Sequence, residues 1–144
     1  MGGQYKTTVT ILNHDQEGGI FIDSYNSFGF KLLSGIQVVG PCVLFPRSLL
    51  HWNVGGLQDI NEDSLHLFTL LDPKIDILVL GVGNHENVKK VDFKILQYMR
   101  SKKINVELLP TDQALSVFNF LNAEKRYVAG AFIPQTVEDT EDYF

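Results

Sequence analysis

Few residues of this 144-residue chain have the type and spacing that catalysis requires. Cys42 is the single cysteine, so it is the one candidate for a thiol nucleophile, and no internal disulfide can form. The four histidines (His14, His51, His66 and His85) could each supply a base, but no pair has the spacing of a helical metal site. Cys42 also heads an apolar run, where cysteine usually packs as a small hydrophobe. The pattern therefore predicts no catalytic residues and no metal site.

A glycine-rich turn follows the most apolar run of the chain. Residues 77–80 are all branched and apolar, which predicts a strand buried on both faces of a sheet. The turn after it comprises Gly81, Val82, Gly83 and Asn84. Gly-Val-Gly resembles the start of a dinucleotide fingerprint, but the third glycine is missing. We expect a turn that needs its glycines for geometry, with a positive φ at one of them.

An alternative interpretation makes this turn the site of a small-anion or nucleotide-binding protein, or of an enzyme. In an α/β sheet, residues 81–84 and 110–112 and the segment after residue 134 should meet at the carboxyl edge of the strands. Two of these loops lead into helix N-termini, which favour anions. Thr111 is the expected N-cap of the second of these helices, and Asp112 weakens the case with its own negative charge. The candidate pocket therefore consists of residues 81–84 with Thr111.

The elements that position this turn form a single α/β domain, predicted over residues 20–134. The first third reads as a β-meander. The remainder alternates helix-strand-helix-strand-helix-strand, with a helix N-cap at Asn61, and short links favour parallel neighbours in a mixed, partly parallel central sheet. The predicted strands are 20–25, 28–33, 36–39, 42–45, 49–54, 77–80, 104–109 and 127–133.

The two ends differ from this domain in composition. Residues 1–19 are polar and aperiodic, which predicts a flexible arm without the features of a signal or transit peptide. Residues 135–144 form an acidic tail that holds four of the 17 acids. The rest of the chain then has 13 acids against 12 basic residues, so it is close to neutral and nucleic acid is not an expected partner. No apolar run is long enough to span a bilayer.

A short segment combines residue types that are enriched at protein interfaces. Residues 45–52 carry two aromatics, a proline and an arginine, and we select Arg47 and Trp52 as candidate interface residues. Half-buried strand residues would give the same pattern. The two interpretations differ in whether the side chains are exposed.

Several segments together resemble one known family, and the resemblance covers roughly residues 20–134. It is carried by residues 40–46, 51–54, 75–83, 109–114, 118–121 and 128–134. On these the chain resembles NADH dehydrogenase (ubiquinone) 1 alpha subcomplex assembly factor 3, within a wider group of small α/β domains. That group commonly has Gly-Thr-Gly where this chain has Gly-Val-Gly, so Val82 stands in place of a residue that has a hydroxyl.

This resemblance implies a non-catalytic assembly factor for mitochondrial respiratory complex I, with no cofactor. The implied partners are complex I subunits and a companion assembly factor. The implied location is the matrix side of the inner mitochondrial membrane, with peripheral membrane association, and no oligomeric state is implied.

Overall fold

The structure is a computed structural model that describes residues 11–14 and 19–136. Within these residues the strands are β1 (Ile11–His14), β2 (Ile22–Asn26), β3 (Gly29–Leu32), β4 (Gln37–Val39), β5 (Cys42–Phe45), β6 (Ser48–His51), β7 (Ile77–Gly81), β8 (Asn105–Leu109) and β9 (Val128–Phe132). The α-helices are α1 (Glu62–Leu65), α2 (Phe93–Ser101) and α3 (Thr111–Ala123). Short 3-10 helices span Leu57–Asp59, His66–Thr69 and His85–Lys90.

The strands form two sheets of a single α/β domain. The larger has the order β1-β6-β5-β9-β7-β8, and the smaller has the order β2-β3-β4. β7 pairs parallel with both β8 and β9, whereas β5 pairs antiparallel with β9 and β6. The predicted mixed, partly parallel sheet with β7 among its inner strands is therefore confirmed.

The predicted β-meander is divided between the two sheets. β2, β3 and β4 form the meander, but β5 and β6 belong to the larger sheet. The break falls at Gly40, whose φ of +87° turns the chain away before Pro41. The predicted strand over 49–54 is shorter than expected, because pairing with β5 ends at His51.

The N-terminal residues depart from the expected flexible arm at one place. Ile11–His14 is a strand that pairs antiparallel with β6, so the prediction of an arm without structure is wrong for these four residues. The pairing covers an edge of the larger sheet, which local polarity does not reveal. The rest of the predicted arm up to residue 18, and residues 137–144 of the acidic tail, lie outside the described residues.

The first helix is shorter than its apolar pattern predicts. Asn61 is the N-cap as expected: its side chain accepts the Ser64 N–H at 2.9 Å, and the Asn61 N–H donates back to Ser64 Oγ. After one α-turn the chain tightens into the 3-10 helix, where the Thr69 hydroxyl donates to the His66 carbonyl at 2.7 Å. Such side-chain bonds to nearby carbonyls compete with regular helix geometry.

β7 separates two hydrophobic layers, as its unbroken apolar run predicts. Leu78 and Leu80 lie in one cluster with Met99 of α2. Val79 lies in the other with Phe118 of α3. All five side chains are fully buried. The strand is thus packed on both faces, and this packing also holds the turn that follows it in place.

Candidate functional site

The turn after β7 lies at the carboxyl edge of the parallel strands, beside the start of α3. Gly83 has a φ of +94°, which confirms the expected positive φ at one of the two glycines. Gly81 has a different role, because a Cβ there would lie 2.9 Å from the Phe132 ring, 3.0 Å from Thr111 Oγ1 and 3.1 Å from Ala114 Cβ. Gly81 thus allows α3 and β9 to approach the backbone closely. Even one added methyl group on Gly81 would crowd these described neighbours.

Thr111 joins the turn to both neighbouring elements, and it is not the N-cap that its position suggests. The N-cap of α3 is Pro110, and Thr111 is the first helical residue. Its fully buried hydroxyl accepts the Gly83 N–H at 2.8 Å and donates to the Ile133 carbonyl at 2.5 Å. The prediction of a threonine cap was wrong because the hydroxyl binds two other loops instead of its own helix.

The backbone of the turn is bonded within the protein. The Val82 N–H donates to the Leu109 carbonyl at 3.1 Å, and the Gly83 carbonyl accepts the Thr111 N–H at 2.9 Å. The Gly81 carbonyl accepts the Ile133 N–H, while the Val82 carbonyl accepts Asn87 Nδ2. The Val82 side chain is itself fully buried. The N–H groups of Val82 and Gly83 are therefore not free to bind an anion.

The segment after β9 covers the outer side of the turn. Asn84 donates to the carbonyl and the hydroxyl of Thr136 at 3.2 and 3.0 Å, and its Oδ1 accepts the Thr136 N–H at 2.7 Å. Gln135 Nε2 donates to Asp112 Oδ1 at 3.0 Å and to the Gly83 carbonyl at 3.3 Å. Gln135 and Thr136 were not selected from the sequence, because their role follows only from strand order.

A carboxylate of the chain itself occupies the N-terminus of α3. Asp112 accepts hydrogen bonds from His85 at 3.1 Å, from Gln135 and from the Gln113 N–H. Partial burial raises the pKa of Asp112, but these hydrogen bonds and the charge of His85 outweigh it and hold the pKa below its ordinary value. An external anion would be repelled by this carboxylate. The five candidate pocket residues do come together, and they form a closed, internally bonded corner.

The other chemical candidates lie apart from this corner. Cys42 is fully buried, and burial raises the pKa of its thiol, so the nucleophilic thiolate is suppressed. His51 faces it across the β5–β6 pair, but no hydrogen bond joins the two described side chains. His66 Nδ1 forms a hydrogen bond with the Tyr98 hydroxyl at 3.0 Å. In the described ranges no group of three His, Cys, Asp or Glu side chains could hold a metal ion, and no helix there is long and apolar enough to cross a bilayer.

The two candidate interface residues separate in the structure. Arg47 is exposed in the turn between β5 and β6. Trp52 is only 2% exposed and packs in the core cluster of α2, so its side chain contributes to the core and little of it reaches the surface. Its indole N–H is buried without a hydrogen-bond partner in the described part of the chain. An interface prediction from residue type failed here because tryptophan is frequent in cores as well.

Solved structures with this fold come from several bacteria. A Bordetella parapertussis protein superposes with a TM-score of 0.70 at 19% identity, over 84% of this chain and 100% of its own. A Mth938-like domain from Bordetella pertussis superposes with a TM-score of 0.68 at 15% identity, over 92% of this chain and 97% of its own. At these identities the comparison establishes the α/β fold.

Relatives found by sequence comparison have a higher identity to this chain than the solved structures do. Residues 22–133 match the family model described as "Protein of unknown function (DUF498/DUF598)". NADH dehydrogenase (ubiquinone) 1 alpha subcomplex assembly factor 3 from Drosophila melanogaster is 48% identical over 90% of this chain and 66% of its own length. The Homo sapiens protein of that name is 43% identical over 90% of this chain and 68% of its own. The chain spans about two thirds of the length of these relatives. It belongs to their family, that of NADH dehydrogenase (ubiquinone) 1 alpha subcomplex assembly factor 3.

Proposed function

We propose that this protein is a non-catalytic assembly factor for mitochondrial respiratory complex I, acting through protein-protein contacts. The observation that carries the proposal is the 48% identity, over 90% of the chain, to a relative that bears the assembly-factor name. Membership of the family makes a shared role the simplest expectation. The geometry of the chain supports a binding role over a chemical one.

The case against catalysis rests on the corner where an α/β domain usually binds its substrate. There the hydroxyl of Thr111 bonds to Gly83 and Ile133, and Asp112 occupies the helix N-terminus. The thiol of Cys42 is buried and its protonated form is favoured. The alternative function, a small-anion or nucleotide site at residues 81–84, is disfavoured because the N–H groups of Val82 and Gly83 already donate within the protein.

We place this activity on the matrix side of the inner mitochondrial membrane, with complex I subunits and a companion assembly factor as partners. The support is the name that the relatives carry and their identity of 48% and 43% over 90% of this chain. The proposed association with the membrane is peripheral. Arg47 is the exposed member of the predicted interface, and we keep it as a contact residue.

Affinity purification of a tagged chain from mitochondria tests this proposal. We expect complex I subunits to co-purify in excess over subunits of the other respiratory complexes. Protease treatment of intact mitoplasts should leave the tagged chain undigested, because the matrix is then protected. Recovery of no complex I subunit, or digestion in mitoplasts, would contradict the proposal.

A further inference from the structure

A shallow apolar groove lies at the opposite end of the large sheet from the Gly81 turn. Its walls are mainly Phe45, Leu71, Pro73, Ile75 and Tyr127, and we call it the apolar groove. It runs beneath the end of β5 and the start of β9. Tyr127 is 58% exposed at its rim. One carboxylate, Asp72, also lines it.

A second groove continues from the first and has the opposite character. Its cations are Arg47, Lys125 and Arg126, and we call it the basic groove. It shares Pro46 and Tyr127 with the apolar groove, so the two grooves adjoin at these residues. Among the residues that the structure describes, no carboxylate lines the basic groove and none of its three cations forms an ion pair. The positive charge of the basic groove is therefore not neutralised within the described domain.

The backbone holds two of these cations in place. Lys125 adopts the left-handed conformation with a φ of +60° after the end of α3. Its N–H donates to the Asn122 carbonyl at 3.0 Å and the Arg126 N–H donates to the Leu121 carbonyl at 3.1 Å, which is a helix C-cap motif. Glycine is the usual residue at this position, because a Cβ is strained in the left-handed conformation. The lysine thus brings a charge to the groove at a site where glycine fits the backbone better.

We propose that the two joined grooves dock a peptide segment of a partner protein, one that carries aspartate or glutamate beside a leucine-sized apolar side chain. The acids would face Arg47, Lys125 and Arg126, and the apolar side chain would enter beside Tyr127. Asp72 repels carboxylates from the apolar end, so the acidic part of the peptide would lie in the basic groove. We favour a peptide over a lipid bilayer because the surface is concave. A peptide side chain can insert into such a surface, whereas the apolar groups that penetrate a bilayer protrude from the protein. The inference rests on the proposed function only in taking the partner to be a protein.

Peptide selection tests this site without knowledge of the partner. Short randomised peptides displayed on phage are selected on the wild-type chain after removal of those that bind the groove variant, Arg47→Glu with Lys125→Glu. We expect enrichment of peptides with acids next to leucine, isoleucine or phenylalanine. Failure to enrich any peptide that separates the two proteins, or enrichment of peptides without acids, would overturn the proposal.

A matched control comes from the other helix. Lys103 follows α2 with a φ of +65° and the same carbonyl pattern, but it lines neither groove. For the strongest selected peptide, synthesised and labelled, we expect the groove variant to weaken binding about tenfold or more, and added salt to weaken it as well. Lys103→Glu combined with Lys94→Glu changes the net charge as much as the groove variant does, and neither lysine lines a groove. This control should leave affinity within about twofold, because exposed charges outside the contact are screened. Equal losses in both variants would mean general charge attraction and would overturn the site.

Two further measurements distinguish a peptide-binding surface from a lipid-binding one. Tyr127→Ala should weaken peptide binding without changing its salt dependence, since the substitution removes only an apolar contact. Vesicles that contain phosphatidylglycerol should bind the wild type and the groove variant alike. Groove-dependent vesicle binding, without peptide discrimination, would assign the surface to lipid and overturn the proposal. Thermal unfolding of each variant checks that it remains folded.

The outcome is distinguishable from that of the proposed function. If peptides bind at the grooves but no complex I subunit co-purifies, the assembly role fails and the docking site stands. If complex I subunits co-purify but no peptide discriminates the groove variant, the docking site fails alone.

Discussion

The hydroxyl of Thr111 accepts the N–H of Gly83 at 2.8 Å, although the two residues are 28 positions apart. The same hydroxyl donates to the Ile133 carbonyl, so one buried oxygen connects the loops that follow β7, β8 and β9. In many α/β domains these three loops surround a ligand. Here the side chain of Thr111 takes that central position.

The first prediction concerns this hydroxyl. Thr111→Val keeps the side-chain shape but leaves the Gly83 N–H and the Ile133 carbonyl with one partner fewer in the interior, which should cost about 2–4 kcal/mol of unfolding free energy. Thr111→Ser keeps the hydroxyl and loses one methyl group, for a cost of about 1 kcal/mol. Urea unfolding of both variants measures the difference. Equal stability of the two would contradict the bridging role.

The second prediction separates crowding from backbone strain. Gly81→Ala places a methyl group within 2.9–3.1 Å of Phe132, Thr111 and Ala114, and we expect a loss of about 1–3 kcal/mol from overpacking. Gly35→Ala is the comparison: its φ is +97° and nothing lies within 4 Å of the added Cβ, so strain alone should cost about 1 kcal/mol. Thermal and urea unfolding give both values. A Gly81→Ala variant more stable than Gly35→Ala would refute the closed corner.

The third prediction concerns Trp52. Trp52→Ala removes a fully packed ring and should cost about 3–5 kcal/mol. Trp52→Phe keeps an aromatic ring and removes the buried N–H that has no partner among the described residues, so this substitution should cost less than about 1.5 kcal/mol. Co-purification of partners should be unchanged in the phenylalanine variant. Loss of partners from a Trp52→Phe protein of normal stability would restore Trp52 as an interface residue.

The fourth prediction is a pH dependence. The folded-state pKa of Asp112 is lowered from 3.8, so its ionised form contributes stability at pH values above 3.8, and this contribution disappears as the pH falls through the lower, folded value. Asp112→Asn should therefore be slightly less stable near neutral pH, by less than about 1 kcal/mol for such an accessible pair. The gap should close in acid. Unfolding curves at a series of pH values test this, and a gap that is constant down to strong acid would contradict it.

The sequence carried enough information for the elements with strong local signals. The apolar run at residues 77–80 predicted β7, and Asn61 predicted a helix start, because burial on two faces and capping both leave a local pattern. The hairpin of β3 and β4 followed from alternation around Gly35. These signals depend on neighbours within a few positions.

The errors arose where distant contacts decide the outcome. Thr111 has the residue type of a cap, but its partners Gly83 and Ile133 come from other loops. Trp52 has the residue type of an interface, but the core of the large sheet buries it. The strand at Ile11–His14 exists only through pairing with β6. The loops of residues 81–84 and 110–112 meet as the strand pattern predicts, while the closure of this corner depends on hydrogen bonds that no local pattern contains.

The amount of assembled complex I after depletion of this protein tests the central claim most directly. Native gels should show less complex I and largely unchanged amounts of the other respiratory complexes, and re-expression of the wild-type chain should restore it. Thr111→Ser, which keeps the fold, should restore it as well. Unchanged complex I after depletion, or an equal loss of all respiratory complexes, would contradict a dedicated assembly role.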